Sequence, residues 1–148
     1  MVKIRVGTPD DKDALEGFVR SLVKEIGEEF DQKRFEWGIS RRLYDPLQRH
    51  GIFVGELEDT KEPAGMIVAE LRVDPYGLSE GYIKLVYVAE QHRHKGIGEK
   101  LPQEAINHLK KIKVQRVRIN IKEDAQDAAK LYQKYKFKKK YEVLELKL

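Results

Sequence analysis

Leu85-Val86-Tyr87-Val88-Ala89-Glu90-Gln91-His92-Arg93-His94-Lys95-Gly96-Ile97-Gly98-Glu99-Lys100-Leu101 is the stretch on which the fold turns. It opens as an apolar, β-branched run, the pattern of a buried strand. A short polar and basic segment comes next, then Gly-Ile-Gly. Beyond it Ile97, Leu101, Ala105, Leu109 and Ile112 recur at helical spacing. A strand that feeds a glycine turn and then a helix start outlines an anion site. The first turn of a helix has backbone N–H groups without intrahelical partners, at the positive end of its dipole. Glycine lets a phosphate approach that backbone closely. Arg93, His94 and Lys95 add positive charge beside it.

The wider pattern is Arg-x-x-Gly-x-Gly after an apolar strand, with an amphipathic helix behind it. Here the sequence resembles the GNAT superfamily of acetyl-CoA-dependent N-acetyltransferases. Arg93-His94-Lys95-Gly96-Ile97-Gly98 is similar to that family's (Gln/Arg)-x-x-Gly-x-(Gly/Ala) pyrophosphate loop. Downstream, Ala128-Ala129-Lys130-Leu131-Tyr132-Gln133-Lys134-Tyr135-Lys136-Phe137 is similar to its Ala-x-x-x-Tyr-x-x-x-Gly-Phe segment. The two matches lie in the family's order, with a β-rich run between them.

The resemblance implies an α/β fold: a mixed, mostly antiparallel twisted sheet of about six or seven strands with about four helices, split between its central strands to hold CoA. It implies direct transfer of an acetyl group from acetyl-CoA to a primary amine of an acceptor. Strand N–H groups at Val86, Tyr87 and Val88 would bind the cofactor's amide-bearing arm and polarise the thioester carbonyl. Amides of Arg93, His94, Lys95, Gly96, Ile97 and Gly98 would bind the pyrophosphate. Tyr132 matches the family's proton donor to the leaving thiolate; the other reading of it is a core tyrosine on an amphipathic helix. The positions where some relatives carry a carboxylate base hold Tyr82 and Lys84. Glu80 stands at the strand's start and could serve through water, with Glu70 and Glu123 behind it. The chain departs from the pattern at Ala125, where many relatives have Asn, and at Lys136, which replaces Gly before Phe137. Pro102 falls inside the phosphate-end helix, where proline costs about 3 kcal/mol, so the helix should bend or open there. The missing base keeps a second reading open: a GNAT-fold protein that binds CoA or acyl-CoA without efficient transfer.

Absent residues narrow the chemistry. The chain has no cysteine, which removes disulfides, thiolate metal sites and a Cys acyl-enzyme. None of Ser21, Ser40 and Ser79 sits in a Gly-x-Ser-x-Gly turn. His92 and His94, with Arg93 between them and no carboxylate pair nearby, read as a solvated phosphate rim and not as a metal site. The 148 residues are 41% apolar, enough for a single N-acetyltransferase domain over 1–148. Charged residues make up 36%, with a net charge of +4: a mixed surface and no nucleic-acid footprint. No signal peptide or membrane span is legible, so the expected location is the cytoplasm. Abundant Lys and Glu with few Asn lean toward a thermophilic source.

Around the central stretch the other elements fall into order. Lys3 to Val6 alternates as a first strand. Thr8-Pro9-Asp10-Asp11 starts a helix with Leu15, Phe18, Val19, Leu22 and Val23 inward. Residues 31–44 read as a second helix, where Phe35, Trp37 and Tyr44 either line a substrate pocket or close the core. Strands over 51–57, 64–73 and 81–88 should form an antiparallel meander. The strand over 114–121 comes after a crossover helix and should lie parallel to the 81–88 strand. Residues 138–148, with Leu144, Leu146 and Leu148 alternating, read as a last strand through which two copies form a homodimer.

Overall fold

The protein is described over residues 1–148 by a computed structural model. Its internal contacts divide the expected single domain into two compact units, 1–118 and 119–148.

The first unit is built on a sheet ordered β1-β2-β3-β4-β5. Its strands are β1 (Val2–Val6), β2 (Ile52–Leu57), β3 (Pro63–Val73), β4 (Ser79–Val88) and β5 (Arg116–Ile119), whose last residue begins the second unit. β1 to β4 form the expected meander, each antiparallel to the next. The Gln115 amide donates to the Ser79 carbonyl at 3.2 Å, so β4 and β5 meet at their starts and run parallel. β5 has four residues against ten in β4, which confines the pairing to the first half of β4.

One sheet face is covered by α1 (Lys12–Glu25) and by the segment over 32–43. Thr8 and Asp11 form a reciprocal capping box ahead of α1, with Pro9 in the short turn between them. Leu15, Phe35, Leu43, Ile52, Val54, Met66, Val68 and Tyr87 make the core beneath. The 32–43 segment is α2 (Gln32–Phe35), a π-turn (Glu36–Ser40) and α3 (Arg41–Leu43) in succession. The extra residue of a π-turn rotates the side chains beyond it. Phe35, just before the π-turn, closes the core, while Trp37 within it and Tyr44 beyond it are exposed at 71% and 65%.

The opposite face receives α4 (Ile97–Lys111), whose Ile97, Leu101, Ala105 and Leu109 are buried. Gly81 is the point of closest approach: a Cβ there would stand 2.9 Å from Leu109 Cδ1. Pro102 neither opens nor ends α4. It lies fully buried inside a helix that runs on to Lys111, so its cost is one lost backbone bond with packing retained on the ring.

The second unit contains α5 (Gln126–Lys134). Lys136 takes the left-handed conformation, with φ 67°, at the position where the family resemblance leads one to expect glycine. Its amide bonds to the Gln133 carbonyl and that of Phe137 to the Tyr132 carbonyl. This is the Schellman pattern, and α4 ends the same way at Lys113. Residues 138–148 form no strand, and Leu144, Leu146 and Leu148 are exposed. The sheet therefore has five strands instead of six or seven. The edge through which a dimer was expected does not exist in the single chain.

Candidate functional site

The second half of β4 and the turn after it line a cleft of about 340 Å³. Val86, Tyr87 and Val88 form one wall and Arg93, His94, Ile97 and Gly98 another. The structure thus gathers most of the cofactor residues expected from sequence around one opening, with Lys95 and Gly96 exposed in the same loop. The third wall is not legible in the sequence. It comes from Leu22 and Glu25 in the last turns of α1, which helical periodicity assigns wholly to packing or solvent.

The backbone of the loop has the shape that phosphate recognition requires. Gly96 caps α4 at φ 81°, a left-handed conformation that glycine enters without steric cost. A Cβ built on it meets nothing within 4 Å. The space above the helix start is therefore open, and an incoming anion would face the unpartnered amides of the first turn. His94 also has positive φ, at 64°, which turns the chain back on itself two residues earlier. The residues present fit a pyrophosphate.

The side chains of the loop separate into different environments. Arg93 Nε donates to the Val88 carbonyl at 2.9 Å and Nη2 to Glu25 Oε1 at 2.7 Å. The hydrogen bond to Glu25 is the main reason its guanidinium is held above its usual range. Glu25 is thus a competitor for any anion that would use Arg93. His92 and His94, expected together on a solvated rim, part: His94 is exposed and His92 is 8% exposed. Both ring nitrogens of His92 lack hydrogen-bond partners, and Glu62 Oε1 is 3.9 Å away. Nowhere do three or more His, Asp or Glu side chains gather as a metal site would require.

Glu80 is not on this cleft. It is 2% exposed at the start of β4. Arg72 Nε donates to its Oε1 at 2.5 Å, and Arg118 Nε forms an ion pair with Oε2 at 3.1 Å without hydrogen-bond alignment. Glu70 lies across the ladder from Tyr82, its carboxylate 3.1 Å from Arg42 Nη2. Glu123 is exposed in the second unit.

Tyr132 belongs to the second unit. Its ring is 5% exposed and packs edge-on against Phe137 with centroids 5.4 Å apart. Burial, with a smaller push from Tyr135, raises its phenol to about 12. The hydroxyl has no hydrogen-bond partner within the protein and is not sealed from solvent.

No helix is long and apolar enough to cross a membrane. No curated protein matches the sequence. Solved structures match along the whole chain. A Clostridium difficile 630 protein described as a possible acetyltransferase superposes with a TM-score of 0.82 at 22% identity, covering 100% of this chain and 98% of its own. The ribosomal-protein-alanine N-acetyltransferase of Brucella melitensis biovar Abortus 2308 gives 0.75 at 16%, covering 100% and 99%. Glucosamine-6-phosphate N-acetyltransferase of Arabidopsis thaliana gives 0.70 at 19%, covering 99% and 98%. At such identities these likenesses show the fold. The family model "Acetyltransferase (GNAT) family" matches residues 15–137, across both units and through the β4–α4 loop, and the chain belongs to that family.

Proposed function

We propose that the chain is an N-acetyltransferase that carries an acetyl group from acetyl-CoA directly to a primary amine. The family generally uses acetyl-CoA. The observation that carries the reading is the cleft itself: the end of β4, Arg93, His94 and the start of α4 line one space, with the left-handed Gly96 in the same loop. Bound acetyl-CoA would supply the thioester. In this reading the amides at 93–98 hold its pyrophosphate, and backbone N–H groups near Val86, Tyr87 and Val88 orient its arm. Holding the two reactants together supplies a large part of the rate. The amine nitrogen attacks the thioester carbonyl, a C–N bond forms and the C–S bond breaks. The amine loses its proton to solvent. The sulfur leaves as a thiolate with a hydrogen bond donated by the Tyr132 phenol. That role rests on the Ala-x-x-x-Tyr match and on a hydroxyl left without a partner.

Glu80 is read here as a clamp that joins β3 to β5 through Arg72 and Arg118, and not as the base. Its burial is the one observation that favours the second reading, binding without efficient transfer. Release of free CoA thiol from acetyl-CoA with a panel of amines separates the two. Calorimetry with CoA tests the cleft: Gly98→Trp, at a position that lines the cleft and whose added Cβ would meet only Val88 at 4.0 Å, should abolish binding in a folded protein. Unchanged affinity in that variant would sink the placement.

A further inference from the structure

The same central strand carries a second polar surface, upstream of the cleft. β4 and β3 fall out of step once: Val68 pairs with Leu85 and Ala69 with Ile83, which leaves Lys84 as the extra residue of a bulge. A bulge re-aims a side chain out of the regular alternation. Lys84 is exposed, with Nζ 4.2 Å from the centroid of the Tyr82 ring. The Arg72 guanidinium lies 4.5 Å from the same centroid. Around them runs a chain of ion pairs, Arg42–Glu70–Arg72–Glu80–Arg118. Lys84 itself is in no ion pair, its charge set only against the Tyr82 ring.

The carboxylates fix the arginines in place. Arg72 is committed to Glu80 through Nε, while its Nη1 is 3.9 Å from the nearest Glu70 oxygen, beyond hydrogen-bond range. The remaining Arg72 N–H groups and the exposed Lys84 ammonium can each donate a charge-assisted hydrogen bond to an anion such as a carboxylate or phosphate. Lys84 is two residues before Val86, which lines the cleft. That is about 7 Å along a strand, within the length of a small molecule.

We propose that this surface seats the acceptor, and that the acceptor is an amine carrying an anionic group, held by Lys84 and Arg72. The inference rests on the acetyltransferase reading for the word acceptor, but the seat is tested apart from transfer. The test uses pairs of amines that differ in charge: β-alanine against β-alaninamide, and O-phosphoethanolamine against ethanolamine. Each is titrated by calorimetry into the protein saturated with CoA, and each is also assayed for CoA thiol release. The anionic member of at least one pair should bind 10-fold or more tightly than its neutral partner. Which pair responds tells carboxylate from phosphate. Lys84→Glu should erase the preference while CoA affinity is kept, and Lys84→Met, which keeps the aliphatic stem, should weaken it if the charge reversal disturbs the fold. Equal binding within both pairs, binding by no member, or a preference that survives loss of the lysine charge would overturn the proposal. A binding preference without thiol release would leave this seat standing and refute the transferase reading instead.

Discussion

Replacing Tyr132 by Phe separates a catalytic phenol from a packing ring. The ring is buried and packed on Phe137, and Phe preserves that contact. The hydroxyl has no hydrogen-bond partner within the protein, so its removal strands no buried partner group. Stability at pH 7 should therefore change by less than about 0.5 kcal/mol. Catalysis should respond differently. Burial holds the phenol at about 12. An ordinary thiol titrates near 8.5, and the gap of about 3.5 pKa units corresponds to about 5 kcal/mol against full proton transfer. In the proposed mechanism the phenol therefore donates a hydrogen bond to the departing sulfur and stays neutral. Loss of such a donor should lower kcat by about 10-fold or more, or ~1.4 kcal/mol or more, with acetyl-CoA affinity unchanged. The pH profile adds a check. A phenol held to about 12 keeps its proton at pH 10, so this group should cause no fall in kcat up to pH 10.5. Its raised value also means that stability present below pH 10 is lost as pH rises toward 12, and the Phe variant should escape that loss. Thiol-release kinetics with chemistry rate-limiting, calorimetry and thermal melts measure the three quantities. An unchanged kcat would return Tyr132 to the core. A melting temperature several degrees lower would show that the hydroxyl has a structural bond.

Two further perturbations test the frame around the site. Lys136 and Lys113 hold left-handed backbone at two helix ends, so Lys136→Gly and Lys113→Gly should each raise unfolding free energy by about 1 kcal/mol, seen as a higher urea midpoint; no gain at either would refute the strain argument. Asp11 is depressed below the usual carboxylate range, because two bonds from Arg5 and one from the Thr8 amide outweigh the burial that would raise it. Its contribution is therefore present above pH 4 and lost as pH falls through its lowered value. Asp11→Asn should cost about 2–3 kcal/mol at pH 7 and flatten the acid arm of the stability curve; an acid arm identical to that of the unaltered protein would remove Asp11 from it.

The order of elements was legible because each carries its own local signal. Strand alternation, the Thr8–Asp11 box and the β4–glycine–α4 stretch are patterns within a few residues, and the residues that line most of the cleft fall inside one of them. The loop proposed to hold the pyrophosphate is readable for the same reason: its amides, its glycine and its helix start are contiguous in sequence. What tertiary structure alone decided are the pairings between distant segments. Glu25 meets Arg93 across 68 positions, and nothing local marks an exposed helix-end glutamate as part of a cleft wall. Glu80 looks available at a strand start until Arg72 and Arg118 close over it from two other strands. Pro102 reads as a bend or an opened turn because propensity counts the lost bond and not the burial of its ring. The tail alternates as a strand should, yet 138–148 forms none, because alternation states a preference and a strand exists only where a neighbouring edge satisfies its backbone. Lys84 shows the same division: its identity is in the sequence, but only a one-residue slip between β3 and β4 takes it out of the ladder.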